Sequence, residues 1–287
     1  MTLRLRSQEF PDDATLVMAI VNRTPDSFYD KGATWVEDRA LERVDRVVAE
    51  GAEIVDIGGI KAAPGEFIDE TEEIRRVAGF VGRVRDRHPG LVISVDTWRS
   101  RVARAVLDEG ADVLNDAWGG ADPALVDVAA EFDAAVICTH TGGVQPRTRP
   151  HRMEYDDLMA AVLHDLRAYA DRAVAAGVRR DSVVIDPAHD FGKNTFHSLE
   201  VTRRLGELVD TGWPVLVSLS NKDFVGEALG LEVGERLVGT LAATALCAAA
   251  GARIFRVHEV VETRQAVDMA NAVMGRLAPR SAIRGLA

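Results

Sequence analysis

Polar and charged side chains recur at one kind of place in this chain: the end of a short, apolar, β-branched run. The first four are LVMAIVN ending at Asn22, EIVDIGG with Asp56, LVISVDT with Asp96, and DVLNDA with Asn115 and Asp116. The rest are AAVICTH with His140, SVVIDP with Asp186, PVLVSLSNK with Ser220 and Lys222, and RIFRVH with Arg256 and His258. Carboxylates accept hydrogen bonds, an amide both donates and accepts, and Lys, Arg and His hold anions. Brought to one place, these groups would bind a polar small molecule.

The elements that must position them follow from the pattern. Runs of about 4–8 apolar residues have the length of buried parallel strands. Helical patterns fill the gaps at Val36 to Glu50, Asp69 to Arg87, Arg99 to Glu109, Pro123 to Phe132 and Tyr155 to Ala176. Further ones span Ser198 to Val209, Asp223 to Leu229, Glu232 to Ala250 and Glu262 to Leu277. Gly51, Gly110, Gly177 and Gly251 each fall between a helix and the next strand, where glycine takes the left-handed cap without penalty. Strict alternation of strand and helix predicts βαβ units. Eight repeats favour a TIM-type (β/α)8 barrel over the alternative, an open doubly wound sheet, because closure removes both edges. The carboxyl ends of barrel strands share one mouth, so the polar set should converge there. The longest strand-to-helix connections, Arg23 to Trp35, Gly59 to Ile68 and Thr141 to Glu154, should cover a ligand.

Bulk properties fit this picture. A chain of 287 residues suits one barrel domain spanning 1–287, and no linker or shift in composition divides it. A net charge of −11 argues against nucleic acid and anionic membrane surfaces as partners. The opening MTLRLRSQEFPDD lacks a signal-peptide core, and the apolar stretch from Leu237 to Gly251 is too short to span a bilayer. Two cysteines, Cys138 and Cys247, in strand and helix patterns read as core thiols of a reduced, cytoplasmic protein. Metal-ligand spacing is not present among His88, His151, His164, His189 and His197.

The motifs, taken together, resemble those of dihydropteroate synthases. Asn22-Arg23-Thr24-Pro25-Asp26-Ser27-Phe28 resembles the first-loop N-V-T-P-D-S-F, and Asp56-Ile57-Gly58-Gly59 the second-strand D-I-G-G. Ser94-Val95-Asp96-Thr97, Asn115-Asp116 and His140 match at the next strands. Asp186-Pro187 with Phe191-Gly192-Lys193 is similar to D-P-G-x-G-F-G-K, and Arg256-Val257-His258 to the closing R-x-H. The resemblance covers almost the whole chain in order. It implies a pterin site in which Asp96, Asn115 and Asp186 read the ring edge and Lys222 donates to a ring acceptor. It further implies that Asn22, Arg256 and His258 hold a diphosphate, that Asn22 helps bind Mg²⁺, and that Asp26 faces the cation developing in the reaction. That reaction, in folate biosynthesis, joins p-aminobenzoate to a dihydropterin and expels pyrophosphate. A homodimer through helices near the chain's end is implied as well.

Departures cluster around the second substrate. Where the family has E-S-T-R-P, this chain has Ile60-Lys61-Ala62-Ala63-Pro64, so a hydroxyl and a guanidinium become methyl groups. G-x-S-R-K-S becomes Ser218-Leu219-Ser220-Asn221-Lys222-Asp223, which sets a carboxylate where the benzoate carboxylate should bind. G-x-G-F becomes Ala188-His189-Asp190-Phe191. Arg23, Lys31 and Lys61 are new cations that could replace the lost guanidinium, and Lys193 could be a site residue or a solvated loop charge. Three readings follow: a homologue with little or no synthase activity that still binds pterin-like or sulfone- and sulfonamide-like ligands; an authentic synthase; and a non-catalytic pterin- or folate-binding barrel.

Overall fold

A computed structural model describes residues 2–24, 37–148 and 154–284. A hairpin of β1 (Leu3–Leu5) and β2 (Gln8–Phe10) precedes the first βα unit, β3 (Leu16–Asn22) and α1 (Glu37–Ala49). Next come β4 (Ile54–Gly58), α2 (Glu70–Arg87), β5 (Val92–Asp96), α3 (Ser100–Asp108), β6 (Val113–Asp116) and α4 (Leu125–Glu131). The second half contains β7 (Ala135–Thr139), α5 (Leu158–Ala175), β8 (Val183–Asp186), α6 (Thr195–Arg203), α7 (Gly206–Val209) and β9 (Leu216–Val217). It ends with α8 (Asp223–Leu229), α9 (Leu237–Ala250), β10 (Ile254–Val257) and α10 (Val260–Val273).

Strands β3 to β10 form one parallel sheet in the order β8-β7-β6-β5-β4-β3-β10-β9. A parallel bridge between Ile185 and Val215, with the Ile185 amide donating to Pro214 O at 2.9 Å, joins the two ends. The sheet is therefore the expected (β/α)8 barrel and not an open doubly wound sheet. Strand β9 is short on its N-terminal side, where Pro214 has no amide to donate.

Two apolar layers follow from the two-residue period of the strands. Leu16, Met18, Ile54, Val92, Val113, Ile137, Val184, Leu216 and Ile254 fill the barrel interior. Their neighbours Val17, Val55, Ile93, Leu114, Val136, Val183, Val217 and Phe255 face the helices. Leu3 and Leu5 join the inner layer, so the hairpin, which the sequence pattern did not announce, plugs the barrel floor. Cys138 and Cys247 are free and buried, and burial pushes the Cys247 thiol up to about 12. Among the described residues no helix is long and apolar enough to cross a membrane.

Several helix boundaries differ from the sequence pattern. Helix α6 starts at Thr195, not Ser198, because Asn194 and His197 cap it reciprocally: His197 N donates to Asn194 Oδ1 (2.9 Å) and Asn194 N to His197 Nδ1 (3.3 Å). Histidine in that role is not the usual Glu or Gln signal. The expected Tyr155 start of α5 gives way to Leu158, where Asp157 accepts from Ala160 N at 3.0 Å. Helix α9 begins at Leu237 rather than Glu232, after a turn closed by Glu235 N on Glu232 O.

The plug is testable. Leu5→Ala should lower unfolding stability in urea by about 2–5 kcal/mol, the range for emptying a filled apolar core site. A change within about 0.5 kcal/mol would class the hairpin as a surface attachment.

Candidate functional site

The inward parity of the barrel, carried one or two residues past the apolar layer, selects the site. Asn22, Asp56, Ser94, Asp96, Asn115, Asp186, Arg256 and His258 all continue the inward rows. Asp116 and His140 have the opposite parity. Asp116 faces α5, where it accepts from the Tyr169 hydroxyl and from the Trp118 and Gly120 amides (2.9 and 2.8 Å). The expectation that every strand-end polar group enters the mouth is thus corrected for these two.

Asp56 organises the mouth. Its carboxylate is fully buried and accepts from Ser94 Oγ (2.6 Å), Asn115 Nδ2 (3.1 Å) and Arg256 Nε (2.6 Å). Arg256 Nη2 donates onward to Asp96 Oδ2 at 3.0 Å. Because the Asn115 amide nitrogen is engaged with Asp56, its carbonyl oxygen is turned toward the mouth as an acceptor. Burial pushes the Asp96 carboxyl up to about 7, against the pull of Arg256 and with the help of Asp56. Asp186 is buried, and its Oδ1 accepts from Ala188 N at 2.7 Å. Desolvation also raises its carboxyl above the usual range.

Lys222 sits at the start of α8 with its ammonium 4.5 Å from the centre of the Phe191 ring, and burial lowers its affinity for a proton. His258 Nδ1 lies 2.9 Å from Ser220 Oγ, which is also 2.9 Å from Glu259 Oε2. If the hydroxyl donates to the carboxylate, His258 carries its proton on Nδ1 and presents Nε2. The arrangement gathers acceptors at Asp96, Asn115 and Asp186 with cations at Arg256 and Lys222, Arg256 being paired with Asp96. It can bind a planar heterocycle bearing N–H donors and an attached anion.

The two residues expected on the first loop, Asp26 and Lys31, lie outside the described residues. Asn22 ends β3 with its Oδ1 near Gly58, as expected. It brings one neutral amide oxygen, and no group of three His, Cys, Asp or Glu able to hold a metal exists among the described residues. Among the described residues Asn22 could therefore supply one ligand, and an Mg²⁺ there would take others from substrate phosphates.

Other expectations change on inspection. Lys193 is not a solvated loop charge. It is buried and donates to His140 Nδ1 (2.7 Å), Phe191 O (3.0 Å) and Ala188 O (3.3 Å), fastening the sixth loop. Gly192 in that loop has φ +58°, and a Cβ there would come 2.2 Å from Thr141 O. Arg23 is not a loop cation either, since its guanidinium lies buried 4.8 Å from the Phe80 ring. The contact to the second loop comes from Arg147 on the fifth loop, whose Nη1 donates to Glu66 O at 2.6 Å. Asp223 does not stand as an isolated negative charge, because Arg236 Nη1 binds its Oδ1 (2.9 Å) and Asn221 O (3.0 Å). Asp190 accepts from Ser198 Oγ (3.0 Å) and Phe224 N (3.3 Å), tying the sixth loop to α6 and α8. Ala62 and Ala63 are exposed.

One mouth residue escaped the sequence pattern. Thr139 shares the inward parity of Ile137, pairs in register with Asp186 and is buried, yet among the described residues its Oγ1 has no hydrogen-bond partner. Strand alternation was the signal that would have chosen it over His140.

Comparison with known proteins gives the family and the fold. The family model described as pterin binding enzyme matches residues 18–258. The chain is 57% identical over 279 residues to a Mycobacterium leprae protein named inactive dihydropteroate synthase 2, covering 96% of each. It is 37% identical to the dihydropteroate synthase of Bacillus subtilis, covering 92% of this chain and 90% of that one. Among solved structures, Yersinia pestis dihydropteroate synthase in a sulfonamide drug complex superposes with a TM-score of 0.90 at 34% identity, over 96% of this chain and 99% of that one.

The raised Asp96 carboxyl has a signed consequence. Its value of about 7 in the fold exceeds the ordinary 3.8, so its stabilising contribution is complete below about pH 4 and is lost as pH rises toward about 7. Urea unfolding of the native chain and Asp96→Asn across that window should show the native protein losing stability relative to the variant. Parallel curves would remove burial as the dominant influence on Asp96.

Proposed function

The chain belongs to the family of pterin-binding enzymes, and on that premise we propose that it is a dihydropteroate synthase homologue that keeps the pterin pocket and has lost most or all synthase turnover. The observation that carries this reading is the contrast between the two halves of the mouth. The Asp56–Asn115–Arg256–Asp96 network and the Asp186 and Lys222 side chains are all present and oriented. Around the second substrate, Ala62 and Ala63 offer no donor, and Asp223 engages Arg236.

In this proposal Asp96, Asn115 and Asp186 accept from the pterin edge, Lys222 donates to a ring acceptor, and Arg256, His258 and Asn22 receive the diphosphate. Asp26 and Lys222 are the catalytic candidates. Mg²⁺, brought with the diphosphate, would supply charge neutralisation at the leaving group. The name of the M. leprae relative supports lost turnover. A pterin-type small molecule is the proposed ligand, with sulfonamide-like compounds binding weakly because their carboxylate-mimicking end meets Asp223. Arg147 is the observation that favours the alternative of an authentic synthase, since it brings a guanidinium to the second loop.

Synthase activity is measured by mixing the purified protein with Mg²⁺, dihydropterin pyrophosphate and labelled p-aminobenzoate and resolving dihydropteroate by chromatography. Turnover should fall at least ~100-fold below an authentic synthase, the scale of losing one or two charge-stabilising donors. Combining Ala62→Thr, Ala63→Arg, Asn221→Arg and Asp223→Ser should raise it at least about tenfold. Turnover equal to the control would overturn the reading. No gain on restoration would mean that the loss lies elsewhere.

We also propose that two copies pair through α9 and α10. These helices pack on each other and expose Val238, Leu246, Met269 and Val273. A cluster of exposed apolar side chains on adjacent helices is what a self-associating surface requires. Light scattering after size exclusion should give a dimer for the native chain and a monomer for Leu246→Glu combined with Val273→Glu. A native monomer at micromolar concentration would refute the pairing.

A further inference from the structure

Outside the barrel mouth, a second cleft of about 830 Å³ opens between the loops that follow β5, β6 and β7 and one face of α5. Its lining shares Thr139 with the mouth but none of Asp56, Asp96, Asp186, Lys222 and Arg256. The floor is His140, which faces outward and is almost wholly buried. Lys193 Nζ donates to its Nδ1 at 2.7 Å, so the imidazole proton sits on Nε2. Among the described residues Nε2 makes no hydrogen bond, and the nearest carboxylate oxygen, Asp165 Oδ2, is 3.5 Å away. A buried donor left without an acceptor costs about 1–3 kcal/mol, so it persists where something else can supply the acceptor.

One wall carries a guanidinium. Arg172 projects from α5 over the Tyr169 ring, 4.5 Å from its centre, and makes no hydrogen bond or ion pair among the described residues. It lies against Gly120, where a Cβ would come 1.9 Å from Arg172 Nη2, so the glycine makes room for the fork. The opposite wall is aromatic, with the Trp98 and Trp118 rings edge to face at 6.2 Å. Of the carboxylates at the cleft, Asp122 caps Ser100 N and Ala124 N (2.8 and 3.0 Å), Asp165 lies 3.0 Å from His164 Nδ1, and Glu70 lies 3.9 Å from Arg101.

We propose that this cleft is a second ligand site for a small aromatic carboxylate, whose ring lies against Trp98 and Trp118 and whose carboxylate receives the Arg172 fork and the His140 Nε2–H. A planar guanidinium matches a carboxylate with two parallel donors, and an aromatic wall matches a ring. The site is independent of the barrel mouth and does not depend on whether synthase turnover survives.

The test uses 2-naphthoate as the probe and 2-naphthamide as its neutral counterpart, titrated calorimetrically into the full chain. Saturable 1:1 binding of the acid is expected, with the amide at least about tenfold weaker, since a charge-assisted pair contributes about 1.5–3 kcal/mol. Arg172→Met, at an exposed position, should weaken the acid about tenfold, and Lys222→Met in the mouth should leave its affinity unchanged. Quenching of tryptophan fluorescence by the acid should diminish in Trp118→Phe. The proposal is overturned by absence of saturable binding or by equal affinity for acid and amide. Binding that falls in Lys222→Met but not in Arg172→Met would assign the probe to the mouth and overturn it equally.

Discussion

A carboxylate with no solvent contact sits at the centre of the barrel, and the mouth is arranged around satisfying it. Asp56 takes donors from three different strands: Ser94 on β5, Asn115 on β6 and Arg256 on β10. An isolated charge at that depth would be strongly unfavourable, and removing one partner of such a buried pair costs about 3–5 kcal/mol. The cost of leaving Asp56 unpaired therefore fixes the rotamers of Asn115 and Arg256 before any ligand arrives. Fixing Asn115 through its amide nitrogen leaves its oxygen outward, and fixing Arg256 through Nε leaves Nη2 to reach Asp96. The polar face offered to a ligand is a by-product of charge satisfaction one layer deeper.

Much of this was legible in the chain, and the reason is parity. A strand's inward row continues past its apolar residues, so Met18 leads to Asn22, Val92 to Asp96, Val184 to Asp186 and Ile254 to Arg256 and His258. Eight short apolar runs with helices between them admit few architectures. What was not legible depends on chain reversals and long-range partners. Lys193 looks like a loop charge until the turn at Gly192 folds it onto His140, and Asp223 looks like a stray carboxylate until Arg236, thirteen residues on, returns to meet it. Thr139 carries no strand-end signal beside the more reactive-looking His140, although alternation places the threonine inward.

The same division explains how the mouth diverged. Of the residues proposed for the pterin side, Asp96, Asn115 and Asp186 lie on strands whose backbone is held by the barrel ladder, so their geometry survives changes in the loops, while Lys222 caps the start of α8. Second-substrate residues lie on loops two, six and seven, where backbone and side chain can be rebuilt together. Three non-glycine residues there adopt positive φ: Ala188 at 50°, Asp190 at 67° and Asn221 at 57°. Asp and Asn tolerate that region by local hydrogen bonding, whereas alanine carries a Cβ penalty of about 1–2 kcal/mol. At Ala188 and Asp190 the two glycines of the family's G-x-G-F are thus met in backbone shape and lost in side-chain space.

Decay and remodelling leave different marks. A site drifting without constraint accumulates polar groups with no partner, each costing about 1–3 kcal/mol when buried. Here the substituted carboxylates are engaged: Asp190 with Ser198 and the α8 amide, and Asp223 with Arg236. The rim has been converted from a surface that waits for an anion into one that satisfies itself. The buried hydroxyl of Thr139, on the pterin side, keeps the opposite character, unpaired and inward-facing. A rim that binds itself, beside a buried hydroxyl with no partner among the described residues, fits the proposal of a protein that retains a ligand without consuming it.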